Sequence, residues 1–151
     1  GMMMMAYGNV YVAQIALGKS HNQTVKALVE AERYKGPSLI IAYSQCIAHG
    51  IDMTTGMDQA AKAVDSGHWI LYRYNPDLIA EGKNPLQLDS KAPTISFKEY
   101  AYSETRYRSL KAQNPERAKN LIELGQRDCD FRWNLYSQLA KLSYEMDKSE
   151  K

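Results

Sequence analysis

The sequence predicts an α/β chain: a partial, largely parallel open sheet of about three strands with flanking helices, followed by a helical C-terminal segment. Three observations carry this. Short apolar runs rich in β-branched and aromatic residues recur at 10–17, 38–43 and 69–74. A stretch of helical spacing, closed by Gly36-Pro37, separates the first two. Past residue 95 the strand pattern gives way to leucines three, four and seven apart.

Residues 10–17, VYVAQIAL, are bracketed by Gly8 and Gly18 and read as a strand buried on both faces. The next run, SHNQT at 20–24, is rich in residues that cap helices. Val25, Leu28 and Val29 follow at helical spacing, with Lys26, Glu30, Glu32 and Arg33 opposite. Gly36-Pro37 ends that helix, because glycine accepts the left-handed cap and proline cannot continue. With residues 38–43 as the second strand, a βαβ unit results, which implies parallel strands and a right-handed crossover. Residues 54–66 read as a helix with Met57, Ala60, Ala61 and Val64 on one face. Residues 69–74 read as a third strand, stopped by Asn75-Pro76.

The α/β portion therefore covers 1–76. Residues 77–95 read as an irregular connector, broken by Gly82, Asn84-Pro85 and Pro93. Residues 96–151 form the helical segment, with helices expected over 96–112 and 115–147. Pro115 suits a first helical position after Asn114. Leu121, Leu124, Phe131, Leu135, Leu139, Leu142 and Met146 make a stripe expected to pack against something. So narrow a sheet has edges that invite further strands, so the chain reads as a piece of a larger sheet.

Composition narrows the classes. At 151 residues, 44% hydrophobic and 24% charged, the chain has globular values for one domain. A net charge of +2 gives no reason to invoke nucleic acid; the mild basic excess lies beyond residue 90, on long helices where a solvated face explains it. Two cysteines make no disulfide framework, and reduced thiols point to the cytoplasm. No run approaches the ~18 apolar residues that span a bilayer. Met2 to Met5 read as an apolar helical turn or a bare terminus, with a metal-binding patch the remote alternative.

One stretch carries chemistry: residues 40–50, IIAYSQCIAHG. Cys46 lies just past the carboxyl end of a strand, where ligands gather in open parallel sheets. Residue chemistry leaves three readings open. Cys46 is a plain buried cysteine, a nucleophile paired with His49, or a metal or cluster ligand. A four-iron cluster needs four thiolates, and Cys129, inside the long helical segment, is the one other cysteine.

The runs NVYVAQIALG, NQTVKALVEAERYKGPSLIIAYSQCIAHGI, GMDQAAKAVDSGHWILYRYNPDL and EGKNPLQLDSKAP resemble the C-terminal part of the thiamine-diphosphate-binding domain of the pyruvate:ferredoxin (flavodoxin) oxidoreductases. The resemblance runs in order from about Met2 to about Leu142. It implies the C-terminal portion of a thiamine-diphosphate-binding fold. It also implies oxidative decarboxylation of pyruvate to acetyl-coenzyme A, with single electrons passing through iron–sulfur clusters to ferredoxin or flavodoxin. In that family a Tyr-Ser-Pro-Cys-Ile-x-His-Gly segment holds the outlying fourth ligand of the [4Fe-4S] cluster nearest the thiamine, and Cys46 matches it. Gln45 stands where proline is usual and is expected to loosen the loop. The amides of Ile47 and Ala48 are placed to point at the sulfur.

The chain has no Gly-Asp-Gly run for the magnesium that clamps the diphosphate, and no Cys-x-x-Cys. It is therefore expected to bind neither thiamine diphosphate nor a complete cluster alone, and to be colourless and inactive. Its partners would be the rest of the parent oxidoreductase, ferredoxin or flavodoxin, pyruvate and coenzyme A, with a homodimer possible. A stand-alone, non-catalytic interaction module that keeps the fold is the alternative, and a small thiol enzyme using Cys46 and His49 a second. His49 either ties the loop or donates toward a cluster or diphosphate. His68 reads as structural and His21 as surface. Arg73, between Tyr72 and Tyr74, is placed at a domain boundary, with the tyrosines and Trp133 filling helix–sheet packing.

Overall fold

A computed structural model of the chain describes residues 1–144. Of the helix expected over 115–147, residues 145–147, Met146 among them, lie outside the described residues; within them the helix stops earlier than expected, at Leu139, with Ala140 as its cap. A short helix, α1 (Met2–Met5), precedes strand β1 (Tyr11–Ile15), in which Tyr11, Val12 and Ala13 are fully buried. The Ser20 hydroxyl accepts from the Gln23 amide at 3.2 Å and starts α2 (His21–Arg33). Strand β2 (Ser38–Ala42) runs parallel to β1, in register from Tyr11 opposite Ser38 to Ile15 opposite Ala42. The βαβ unit is as the sequence predicts.

The rest of the sheet differs. Strand β3 (Tyr72–Tyr74) lies on the other side of β1 and runs antiparallel to it, with Val12 opposite Tyr74. A fourth strand, β4 (Leu86–Leu88), pairs antiparallel with β3. The sheet is mixed, in the order β2-β1-β3-β4, and not largely parallel. The cause lies in α3 (Gly56–Asp65), which packs just past the carboxyl end of β1, Val64 against Ala16 and Met57 and Ala60 against Gly18. A Cβ on Gly18 would sit within 2.9 Å of the Met57 Cα, so the approach there is tight. Trp69 Nε1 donates to the Ile15 carbonyl at 3.0 Å, and Gln14 Nε2 to the Ile70 carbonyl at 2.9 Å. The chain thus enters β3 where β1 ends, which forces the opposite direction. In the stretch read as irregular, α4 (Asp77–Ala80) leads into β4, and the Asn84 side chain accepts from the Leu86 amide at 2.8 Å.

Residues of alternate parity on β1 face different layers. Tyr11, Ala13 and Ile15 meet Ala27 of α2. Val10 and Val12 join Tyr72, Tyr74 and Tyr136 on the other face. Between Tyr72 and Tyr74, Arg73 points to the α2 side, 5% exposed. It sits in an ion cluster rather than at a boundary, because a buried guanidinium must be paired. It donates twice to Asp89, at 2.8 Å each, and at 2.6 Å to Glu30. The Tyr11 hydroxyl donates to Glu30 at 3.0 Å.

The helical segment comprises α5 (Phe97–Ala101), α6 (Thr105–Gln113) and α7 (Pro115–Leu139). Asn114 caps α7 by accepting from the Arg117 amide, with Pro115 at its first position as expected. The helix expected over 96–112 breaks at 102–104, where Ser103 turns its hydroxyl to the Tyr100 carbonyl and Glu104 turns inward.

The buried faces are not those counted from large apolar residues. Helix α2 buries Gln23, Thr24 and Ala27, leaving Val25 and Leu28 exposed. Helix α3 buries Gly56, Gln59, Ala60, Ala63 and Val64, leaving Met57 exposed. On α7 the packed face is Ala118, Ile122, Gly125, Cys129, Trp133 and Tyr136, joined by Leu139 of the predicted stripe, while the stripe's Leu121, Leu124, Phe131 and, past the helix, Leu142 are exposed. A Cβ at Gly125 would lie 2.3 Å from the Phe97 ring, so the closest helix approach uses the small residues. Among the described residues no helix is long and apolar enough to cross a membrane.

Candidate functional site

The last backbone bond of β2 runs from the Tyr43 amide to the Ile15 carbonyl, at 2.9 Å. Three residues on, Cys46 is exposed in extended backbone and starts a single 3₁₀ turn, Ile47–His49. The His49 amide donates to the Cys46 carbonyl at 3.0 Å. Ile47 and Ala48 lead the turn, where N–H groups have no acceptor within it. Gly50 closes the turn at φ 69°, a left-handed conformation that glycine adopts without steric cost. Gln45 is seated rather than loose: its side chain lies over the buried Gly56.

Beneath this loop lies Glu104, 2% exposed. A carboxylate so buried needs partners that donate, and it has three. His49 Nδ1 donates to Oε2 at 2.7 Å, Gln59 Nε2 to Oε1 at 3.0 Å, and the Tyr100 hydroxyl to Oε1 at 3.4 Å. The Tyr43 hydroxyl is 3.0 Å from that of Tyr100, so the network runs back to the end of β2. Burial raises both phenols above their ordinary pKa. His68 stacks on the Tyr100 ring at 4.9 Å, and burial lowers its pKa. Thr105 Oγ1 donates to the Gly50 carbonyl at 2.7 Å and completes the clamp.

Of the residues singled out in the sequence, Cys46 and His49 share this loop and a backbone hydrogen bond, while the His49 imidazole is held by Glu104 rather than by the thiol. His68 is structural and His21 is exposed, as read. Cys129 is fully buried on α7, and burial raises its thiol pKa. Among the described residues no three His, Cys, Asp or Glu side chains group as a metal site. What the arrangement offers is one accessible thiol on a loop anchored from below. Glu104, Gln59 and Tyr100 were not found from sequence. The one signal for Glu104 is its place in a break between helices, which any acidic surface residue shares.

No protein-family model matches the chain. It is 56% identical over 140 residues to a pyruvate-flavodoxin oxidoreductase of Nostoc sp., covering 93% of this chain and 12% of that protein. The pyruvate:ferredoxin oxidoreductase of Moorella thermoacetica is 55% identical over 141 residues, again 93% and 12%. The pyruvate-flavodoxin oxidoreductase of Enterobacter agglomerans is 49% identical over 142 residues, with the same shares. The chain is homologous to one segment of the pyruvate-flavodoxin and pyruvate:ferredoxin oxidoreductases. It spans about 12% of the length of the curated relatives it matches. The resemblance expected from the four sequence runs is therefore shown, and the stretch that carries the mixed sheet and the Cys46 loop is similar to one segment of these oxidoreductases.

Proposed function

We propose that the chain is the C-terminal portion of the thiamine-diphosphate-binding domain of a pyruvate:ferredoxin or pyruvate-flavodoxin oxidoreductase. In this reading Cys46 supplies one thiolate to a [4Fe-4S] cluster whose other ligands lie elsewhere in the parent protein. The observation that carries it is the exposed sulfur of Cys46 on an anchored loop at the carboxyl end of a parallel strand. The donor set fits such a group: a single soft ligand and leading amides at Ile47 and Ala48, with no cluster of three His, Cys, Asp or Glu side chains among the described residues. When bound, the cluster accepts and passes electrons one at a time.

The chain's own part is mechanical and electrostatic. It presents a thiolate from a strand-anchored loop, and it orients the Ile47 and Ala48 amides. It also keeps the base of the loop dry through Glu104, Gln59 and the tyrosines. Thiamine diphosphate and magnesium, pyruvate and coenzyme A would bind in the parent, which would hand electrons to ferredoxin or flavodoxin in the cytoplasm. The open edge of β2, with residues 38 and 42 exposed, is where the parent's sheet would continue, in one chain or a homodimer.

Anaerobic reconstitution of the isolated chain with iron and sulfide tests this reading. It predicts a colourless protein that holds no four-iron cluster. A brown chain with four irons per polypeptide overturns it.

A further inference from the structure

We propose that Glu104 is a positioning residue for the Cys46 loop, acting through His49. The role of the loop as a ligand carrier rests on the function proposed above; the tether itself does not. Four observations place it. Glu104 is nearly inaccessible, yet its Oε2 receives His49 Nδ1 at 2.7 Å, and His49 lies three residues from the sulfur. Its other oxygen is fixed by Gln59 from α3 and by Tyr100 from α5, so the acceptor is held in place before it meets the histidine. The Ser103 hydroxyl, 2.7 Å from Gln59 Oε1, orients the glutamine in turn. The next residue, Thr105, grips Gly50 from the far side of the same turn.

A carboxylate can only accept, so the Nδ1 nitrogen of His49 carries a proton and donates it. The imidazole is thereby locked in one orientation, and with it the single turn whose leading residues, Cys46 to Ala48, are exposed. The ties to residues 46–50 lie at the end of the turn, at His49 and at Gly50, which Thr105 holds; Cys46, Ile47 and Ala48 are exposed, Ile47 by 73%. A loop this bare would otherwise sample many positions. The helical segment, remote in sequence, thus sets where the sulfur stands.

The test uses the 151-residue chain and the intact oxidoreductase that carries it, with His49→Ala, Glu104→Gln and Cys46→Ser variants. His49 is half-buried, so its replacement leaves the core intact. In the chain, the proposal expects amide hydrogen exchange at the turn's two bonded amides, residue 49 and Gly50, to rise roughly tenfold in H49A, and less in E104Q. Exchange at 72–74 stays unchanged. In the intact enzyme, H49A shifts the spectroscopic signature or reduction potential of the cluster that Cys46 holds. Exchange at residue 49 and Gly50 that stays unchanged, or that rises equally at 72–74, overturns the positioning role. A C46S enzyme with full iron and an unchanged spectrum overturns the ligand reading alone, since the exchange result stands without it.

Discussion

Thr105 sits directly over Gly50. Its hydroxyl donates to the Gly50 carbonyl at 2.7 Å, and a Cβ built on Gly50 would lie 2.7 Å from the Thr105 Cβ. The turn that carries Cys46 is thus closed by a residue that must be small and must accept φ 69°.

Replacing Gly50 with alanine meets both constraints at once. A left-handed conformation costs an L-residue about 1–2 kcal/mol, and Thr105 must move. Urea unfolding of the chain should show a loss of that size, with faster exchange at 46–50. An unchanged midpoint and unchanged exchange contradict the clamp.

The two thiols should differ in access. Cys46 is exposed, whereas Cys129 is fully buried and its thiol pKa is raised by desolvation. Under native conditions an alkylating agent should label one site per chain, at Cys46, and both sites in denaturant. Mass mapping of the label checks this. Comparable native labelling at Cys129 means that α7 is not packed as described.

Arg73 gathers Glu30 and Asp89 under the sheet. Arg73→Ala leaves two acids without their cation and should cost about 3–5 kcal/mol in a denaturation curve. A cost under about 1 kcal/mol would place the cluster in solvent, against its burial.

His68 supplies a pH dependence. Burial lowers its pKa in the folded chain below the ordinary 6.5. The unfolded chain therefore takes up the proton first as pH falls. Stability contributed by keeping His68 neutral is present above about pH 6.5 and is lost as pH drops toward the folded value. The urea midpoint should fall between about pH 7.5 and 5.5, and His68→Gln should flatten that slope. Identical slopes in both proteins contradict the burial of His68.

The two faces of α7 make opposite predictions. Phe131 is 67% exposed, and Phe131→Ser should change stability by no more than about 0.5 kcal/mol. Tyr136, stacked on Tyr72 at 5.0 Å, should cost about 3 kcal/mol on truncation to alanine. Chemical denaturation of both variants compares them directly, and equal costs contradict the assignment of faces.

These faces also show how far the sequence could be read. The parallel pair, its crossover and the Asn114-Pro115 start of α7 were legible, because each rests on local chemistry: β-branched runs, a Gly-Pro stop, a cap. The direction of β3 was not legible. A short apolar run fits either neighbour, and what decides is where α3 docks on β1. The packed face of α7 was missed for a related reason. Leu121, Leu124 and Phe131 give the stronger apolar signal, but Ala118, Gly125 and Cys129 permit the closer approach, and packing favours closeness. Cys46 was legible as the residue to watch. Glu104 was not, because one acid among charged helix residues shows its burial only once the chain has folded around it.

The central claim is that the sulfur of Cys46 is one holder of a cluster completed by the parent protein. Iron analysis and electron paramagnetic resonance of the intact oxidoreductase carrying Cys46→Ser test it most directly. If Cys46 holds iron, one cluster signal is lost or converted and the remaining clusters are unaltered. Full iron content and a spectrum identical to that of the unsubstituted enzyme would contradict it.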